Sequence, residues 1–364
     1  MSKKVNVNLF ENSYQVFIGD DSLEYLVKKI NKSNLTKAIV IIDSNADYHH
    51  KLLLRKIVAL IECKTFFYSL IVSEKNKSLI TVQKIFSFLS ENSFDRSSAV
   101  IAIGGGVVGD IAGYVASTFM RGIRLFQVPT TLLSMVDSSV GGKTGVNFQN
   151  RKNLIGTFYQ PNIVCVYPEF IKSLTKREIV SGAGEIFKYS FLADGKNYNL
   201  LKSNLQNLFN NDDVDFISII TNCVKIKADV VMNDEREVTG LRKILNLGHT
   251  FAHAFETESN FKLKHGEAVI AGIFCALSLS EKSGYLDQKK FDKILQDFSF
   301  ISLNKSIYKM DTVNVYYNMI GDKKNLNNKI KLVLVEDIGS VIVDVVLEKS
   351  LIVESIEWVK KNIR

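Results

Sequence analysis

The stretch "AVIAIGGGVVGDIAGYVAS", residues 99–117, restricts the fold more than any other part of the chain. An apolar, β-branched run stops at consecutive glycines, and apolar residues then resume at helical spacing. That pattern reads as strand, tight turn and helix. A strand apolar on both faces needs a sheet covered by helices on both sides, which is the habit of parallel sheets. The neighbouring segments continue the alternation. "KAIVIID" is a short strand ending in an acid, "LITVQKIFSFLSEN" has helical spacing, and "LFQVPTT" is a further strand running into a turn. The first half therefore predicts an α/β nucleotide-binding domain, Rossmann-like with a mainly parallel sheet. Gly104, Gly106 and Gly109 fit G-x-G-x-x-G. Glycines at that spacing let backbone N–H groups approach a phosphate at a helix N-terminus. The acid that ordinarily follows such a turn by about 20 residues is missing. Asp43 ends an earlier strand instead, so the parts come in an unusual order.

From Lys176 onward the pattern changes. "REIVSGAGEIFKYSFLA", "FISIITNCVKIKADVVM", "RKILNLGHTFAHAFE" and "GEAVIAGIFCALSLSEKSG" are all helix-length and amphipathic or apolar, and "KIKLVLVEDIGSVIVDVVL" reads as a late hairpin. The expectation is a domain over 1–175 and a mostly α-helical domain over 176–364. A chain of 364 residues accommodates two such cores. At 46% hydrophobic and 23% charged it reads as soluble and globular. "MSKKVNVNLF" lacks the apolar stretch of a targeting peptide, and "AVIAGIFCALSLS" is too short to span a bilayer. Cys63, Cys165, Cys223 and Cys275 are far apart, as expected of reduced thiols in a cytoplasmic protein. The net charge of +8 is spread over scattered lysines without a basic tract, which argues against nucleic acid and leaves a small anionic substrate as the better partner.

The stretch "VDSSVGGKTGVNFQNRKNLIG" tempts a P-loop assignment, but that motif needs glycine where Asp137 stands. What remains is a glycine-rich loop whose Asp137, Lys143, Lys152 and Asn153 suit hydroxyls and phosphates. Further on, three of the chain's 5 histidines fall close together at His249, His253 and His265. Taken as one helix at about 100° per residue, "RKILNLGHTFAHAFE" puts Arg242, Asn246, His249 and His253 on one stripe. In a lysine-rich chain this stripe carries no lysine, only groups that bind anions and metals. An i,i+4 histidine pair can share a divalent metal, with His265 and an acid such as Glu185 completing the set. Glu185 lies one turn from Lys188. Spacing leaves open which three are ligands.

Together "GGGVVGD", "VPTTLLSMVDSSVGGKTGVN", "KNLIG", "SGAGEIFKY", "GLRKILNLGHTFAHAFE" and "KHGEAV" closely resemble the 3-dehydroquinate synthase family of the shikimate pathway, within the sugar-phosphate cyclase superfamily. The resemblance runs from the N-terminal strands to "GDKK" at Gly321. It implies Glu185, His249 and His265 as ligands of zinc, or of cobalt in its place, with His253 a substrate and proton-relay residue. It implies NAD held by Asp43, Glu74, Lys77, Gly104, Gly105, Gly106, Asp110, Thr130 and Thr131, with Lys143, Lys152 and Ser173 at further cofactor positions. Substrate contacts fall to Arg121, Asp137, Lys143, Lys152, Asn153, Lys188, Lys227, Arg242, Asn246, His253 and Lys324. His253, Lys188, Asp137 and Glu237 take the catalytic positions. Ser173 stands where the family carries threonine, Thr175 replaces a proline and Ser73 a glycine, and "DEREVTGLR" is one residue longer than usual. The implied substrate is an anionic sugar phosphate, 3-deoxy-D-arabino-heptulosonate 7-phosphate, converted to 3-dehydroquinate and phosphate. The implied sequence is transient oxidation by NAD, phosphate elimination, re-reduction and aldol closure. Because the counterpart of Arg121 reaches a neighbouring subunit, a homodimer is implied. A sugar-phosphate cyclase acting on another sugar, or a zinc- and NAD-dependent polyol dehydrogenase, are the alternative readings.

Overall fold

The structure, a computed structural model, describes residues 2–149, 151–321 and 329–363. In chain order the first elements are β1 (Lys3–Val7), β2 (Tyr14–Ile18), α1 (Ser22–Asn31), β3 (Lys37–Asp43), α2 (Ser44–Val58), β4 (Lys64–Leu70) and α3 (Leu79–Glu91). They continue with β5 (Ala99–Gly104), α4 (Gly106–Thr118), β6 (Arg124–Pro129), β7 (Lys143–Phe148), β8 (Arg151–Phe158) and β9 (Ile163–Val166). Then come α5 (Lys176–Leu192), α6 (Gly195–Asn210), α7 (Phe216–Asn233), α8 (His249–Glu258), α9 (His265–Lys282), α10 (Gln288–Asp297) and α11 (Thr312–Ile320). The chain ends in β10 (Leu332–Asp337), β11 (Ser340–Val345) and α12 (Lys349–Asn362).

Two compact units result, Met1–Thr175 with Phe216–Arg236, and Lys176–Asp215 with Glu237–Arg364. Helix α7 therefore belongs with the first unit, against β1, rather than with the helices around it in sequence. Its apolar face, which reads from sequence like that of any bundle helix, covers the sheet.

The first unit is an α/β domain on a seven-stranded sheet of order β1-β2-β9-β6-β5-β3-β4, parallel except for the β1–β2 pair. Residues Ala38–Ile42 and Ala99–Ile103 are buried throughout, as strands with both faces covered must be. On one face Ile39, Ile41, Val100 and Ala102 pack with Val82, Ile85 and Leu89 of α3 and with Val108, Ile111 and Val115 of α4. The strand order reverses direction between β3 and β5, and such a switch leaves a crevice at the strands' carboxyl ends. The region expected as a glycine-rich loop is more ordered than its composition suggests. A π-helical turn at Ser134–Ser138 leads into an antiparallel β7–β8 pair. Its glycines serve close pairing: a Cβ on Gly156 would lie 2.1 Å from the Thr144 carbonyl oxygen.

The second unit is mostly helical. The helix expected across Arg242–Glu256 is broken in two, a 3₁₀ turn at Leu241–Asn246 and then α8. Gly248 causes the break by adopting φ +76, and a Cβ there would meet Ile273 at 2.7 Å. Amphipathic periodicity is blind to such a residue, since glycine fits either reading. Helices α5 and α9 touch backbone to backbone. A Cβ on Gly184 would lie 2.3 Å from the Gly266 oxygen, and one on Gly266 would lie 1.8 Å from the Ser181 oxygen. Gly195, at the start of α6, faces open space.

These contacts predict opposite signs for like substitutions. Gly266→Ala should destabilise the protein by about 1–3 kcal/mol or more, because two helices must separate. Gly195→Ala should be neutral or stabilising by up to about 1 kcal/mol. Denaturant unfolding of the two variants checks this.

Candidate active site

In the second unit, three helices each deliver one group to a common point. Glu185 of α5, His249 of α8 and His265 of α9 place one ligand atom apiece within 4.8 Å of one another. Each is adjacent in sequence to a glycine at a backbone contact. Glu185 follows Gly184, His265 precedes Gly266, and His249 follows Gly248, against whose oxygen a Cβ on Gly272 would sit at 2.2 Å. Close approach of the main chains is what brings the short side chains together. The Glu185 Oε1 atom lies 3.4 Å from His249 Nε2 and 3.2 Å from His265 Nε2.

The outer nitrogens of both rings are engaged. His249 Nδ1 lies 3.1 Å from the Leu247 carbonyl, and His265 Nδ1 lies 3.4 Å from Glu256 Oε1. With an N–H donated outward at each Nδ1, both Nε2 atoms face inward, the arrangement that metal-binding histidines use. Two imidazoles and a carboxylate at this spacing fit zinc or cobalt with a position left for water or substrate. Glu256 is 3% exposed and was missed in the sequence, although it lies seven residues after His249 on the same helix. The signal that could have found it is the single buried acid closing H-x-x-x-H-x-x-E. His253 also lies beside the set, its ring 5.9 Å from that of His249 and 6.5 Å from that of His265.

The electrostatics are strongly divided between the two rings. Burial lowers the pKa of His249 to about 4, more than its contact with Glu185 restores. Burial would lower His265 too, but hydrogen bonds to Glu185 and Glu256 carry it up to about 10. Burial works against charge on Glu185, yet Lys188 and then His249 hold its carboxyl well below the usual range. Lys188 is 2% exposed and pairs with Glu185 one turn earlier on α5. Arg242, in the 3₁₀ turn, is 2% exposed, and Asn246 ends that turn partly exposed. Glu237 is exposed with φ +59. Lys324 lies outside the described residues.

In the first unit, Gly104, Gly105 and Gly106 form the turn between β5 and α4, beneath which β6 ends at Pro129. The order that looks inverted in sequence is resolved by the sheet. Strand β3 pairs with β5, Ile42 opposite Ile103, so Asp43 ends its strand beside the glycine turn. Asp43 also caps α2, accepting from Asn45 N at 2.9 Å. A narrow cleft here is lined by Gly104, Gly105, Gly106, Gly109, Ser138 and Ser139. The hydroxyls of Ser138 and Ser139 are buried and lack a hydrogen-bond partner among the described residues. A Cβ on Gly105 would press on Thr131 at 3.0 Å, and one on Gly106 would come within 3.1 Å of Ser138 Oγ. Glycine backbone, a helix N-terminus and two unspent hydroxyls fit a pyrophosphate, and with Asp43 for a ribose they fit a dinucleotide. Thr130 N donates to the Gly104 carbonyl at 2.9 Å, and the Thr131 and Ser134 hydroxyls are 2.9 Å apart.

The remaining first-unit candidates form small polar groups. Lys77, 5% exposed, donates to both Asp110 and Asn153, so residues distant in sequence converge on one ammonium. Glu74 accepts from Asn147 Nδ2 at 2.9 Å. Lys227 of α7 lies 3.0 Å from the Asp137 carboxylate and donates to the Asp137 carbonyl at 2.9 Å. Ser173 Oγ lies 2.9 Å from His50 Nε2 and donates to the Phe170 carbonyl. Lys143 on β7 is exposed and Lys152 on β8 partly so. Arg121 is largely exposed just after α4, with φ +67. Sequence reasoning passed over Asn147, Ser138 and His50, whose types carry no motif.

The divided rings predict a proton count for metal uptake. At pH 7.5 the metal-free protein carries a proton on His265, whose pKa of about 10 lies above the medium, and none on His249 at about 4. A metal ion must displace the former, so zinc loading should release about one proton. Titration calorimetry in buffers of different ionisation enthalpy reads that number directly. A value near zero or two contradicts the charge assignment.

Known proteins resemble this chain in sequence and in fold. The family profile described as 3-dehydroquinate synthase N-terminal matches residues 68–181, and that described as 3-dehydroquinate synthase C-terminal matches residues 182–325. The 3-dehydroquinate synthase of Alkaliphilus metalliredigens is 39% identical over 341 residues, covering 93% of this chain and 94% of that one. A structure of 2-deoxy-scyllo-inosose synthase complexed with carbaglucose-6-phosphate, NAD+ and Co2+ superposes with a TM-score of 0.88 at 23% identity, covering 97% of this chain and 99% of the other. The 2-epi-5-epi-valiolone synthase of Streptomyces hygroscopicus subsp. jinggangensis, with NAD+ and Zn2+ bound, gives 0.83 at 22% identity, covering 97% and 98%. These solved structures share the fold, while the curated relative and both profiles share the sequence. The chain belongs to the 3-dehydroquinate synthase family.

Proposed function

We propose that the protein converts 3-deoxy-D-arabino-heptulosonate 7-phosphate to 3-dehydroquinate and phosphate, using NAD and zinc or cobalt. The observation that carries this reading is the convergence of Glu185, His249 and His265 in a chain of this family. Those three would hold the metal. Asp43, the Gly104–Gly106 turn, Asp110, Thr130 and Thr131 would hold NAD, with Glu74, Lys77, Lys143, Lys152 and Ser173 around them. When bound, NAD takes and returns a hydride at a ring alcohol while the metal polarises that alcohol's oxygen.

The chain's own groups supply positioning and charge. His253 would pass a proton, and its ring lies beside those of His249 and His265. Lys188 is paired with Glu185 in a buried setting, where an ammonium would favour developing negative charge on oxygen. Lys227, ion-paired with Asp137, would serve the substrate carboxylate. Arg242 offers a buried guanidinium for the substrate carboxylate, able to bind it through two parallel hydrogen bonds. Asn246 and Asn153 suit hydroxyls, and Arg121 and Lys324 suit the phosphate. Glu237 completes the catalytic positions. We also read the enzyme as a homodimer in which Arg121 serves the neighbouring subunit, and as cytoplasmic. No helix among the described residues is long and apolar enough to cross a membrane, and the cysteines are free.

The test is an assay of metal-loaded protein with the heptulosonate phosphate. Phosphate should appear continuously at catalytic NAD while reduced nicotinamide does not accumulate. Stoichiometric release of NADH would point to a polyol dehydrogenase, and turnover of glucose 6-phosphate to a different cyclase.

Two sets of variants sharpen the roles. Arg242→Met should leave zinc and NAD binding intact and lower kcat/KM by about 2–5 kcal/mol, the cost of leaving a buried charge without its partner; Lys227→Met should act in the same direction. Unchanged kinetics in both variants refutes the carboxylate assignment. His253→Ala should keep stoichiometric zinc and lose rate, whereas His265→Ala should lose zinc. The reverse pattern would reassign the ligands.

A further inference from the structure

Beside the metal ligands, but not among them, the second unit holds a buried carboxylate with every position taken. Glu267 is 8% exposed and lies two residues after His265, in the first turn of α9. Its Oε1 accepts from Arg177 Nε at 3.1 Å and from Asn304 Nδ2 at 3.0 Å. Its Oε2 accepts from Arg177 Nη2 at 2.7 Å and from the Lys264 backbone N–H at 2.8 Å. Four donors fill the acceptor capacity of an ionised carboxylate, so Glu267 has none left for metal or substrate.

What the carboxylate holds is the frame around His265. The bond to Lys264 N closes the first turn of α9 from the residue before His265 to the residue two after it. Arg177 belongs to α5, eight residues before Glu185, and its Nη2 also donates to the Lys262 carbonyl at 3.0 Å. One guanidinium thus ties α5 to both sides of the α9 N-terminus. The glycine contact Gly184–Gly266 fixes how near the two helices come. The paired fork between Arg177 and Glu267 fixes rotation and slip, because parallel hydrogen bonds to a planar group tolerate little of either.

We propose that Glu267, clamped by Arg177, is a positioning residue that sets the affinity and geometry of the metal site through the first turn of α9, without touching metal or substrate. This rests on the metal reading of Glu185, His249 and His265. Outer partners of metal ligands commonly govern affinity by on the order of 10–100-fold. Glu267 does so through the backbone rather than through a ring nitrogen, the role that Glu256 already fills.

The experiment measures zinc affinity of the full chain by chelator competition, the visible spectrum of the cobalt-loaded protein, and NAD affinity. Variants are Glu267→Ala, Glu267→Gln, Arg177→Met and Arg177→Lys. The expected result is zinc binding weakened by on the order of 10–100-fold in Glu267→Ala and Arg177→Met. The cobalt spectrum should change in both, and NAD affinity should stay at the wild-type level. Glu267→Gln, which keeps an acceptor for Lys264 N, should restore most of the affinity, and Arg177→Lys only part. Should Glu267→Ala fail to fold, Arg177→Met decides, since that side chain is half exposed and its loss opens little core. Wild-type zinc affinity and spectrum in Arg177→Met overturn the proposal. So does a loss in Glu267→Ala that Glu267→Gln leaves uncorrected with the cobalt spectrum unchanged. Absence of stoichiometric zinc in the wild-type protein would instead overturn the metal reading itself.

Discussion

Backbone contact between α5 and α9, glycine against glycine, is the constraint on which the second unit depends. Two helices with ordinary side chains at the crossing stand about 8–10 Å apart, whereas here main chain meets main chain. With Gly184 against Gly266 the main chains touch, and the residues next to those glycines become neighbours. Gly248 against Gly272 does the same for α8. Elsewhere along the pair, Phe187 of α5 packs against Phe274 of α9 and against Phe298, just past α10. The point where Glu185, His249 and His265 meet is therefore a by-product of where side chains are absent.

Much of this architecture was legible in the sequence, and the parts that were not share a cause. The alternation around "AVIAIGGGVVGD" announced a parallel sheet because buried strands and amphipathic helices leave different periodicities. Likewise α5, α7 and α9 were visible as helices, and β10 and β11 as a hairpin. The break at Gly248 was invisible because a left-handed glycine leaves the apolar pattern of its neighbours intact. The placement of α7 was invisible because an apolar face does not say which surface it covers. The β7–β8 pair was read as loop because glycines at close strand contacts look like glycines in turns.

The candidate site shows the same divide. Spacing within one segment suggested that His249 and His253 bind together, since i,i+4 residues share a helix face. Besides His249 of α8, the cluster draws Glu185 from α5 and His265 from α9, and no one-dimensional spacing encodes that approach; the family resemblance singled out these three residues where spacing alone could not. In the first unit Asp43 seemed misplaced only because chain order was taken for spatial order. A ligand meets the ends of β3 and β5 as neighbours, whatever lies between them in the chain. Glu256, Glu267 and the hydroxyls of Ser138 and Ser139 lay inside the quoted motifs but went unnoticed, because support for another residue is a spatial relation that spacing does not record.

The two histidines that face Glu185 are held in their orientations by different kinds of partner. His265 leans on a side chain, Glu256, whereas His249 leans on the main-chain carbonyl of Leu247. A carboxylate can be lost or exchanged by a single base change in a gene, but no codon removes a carbonyl. One ring's orientation is thus written into the path of the chain and the other's into its spelling. If sites of this kind drift toward other metals or toward inactivity, the His265 side is where the drift can begin, while the His249 side can change only when the bend at Gly248 does.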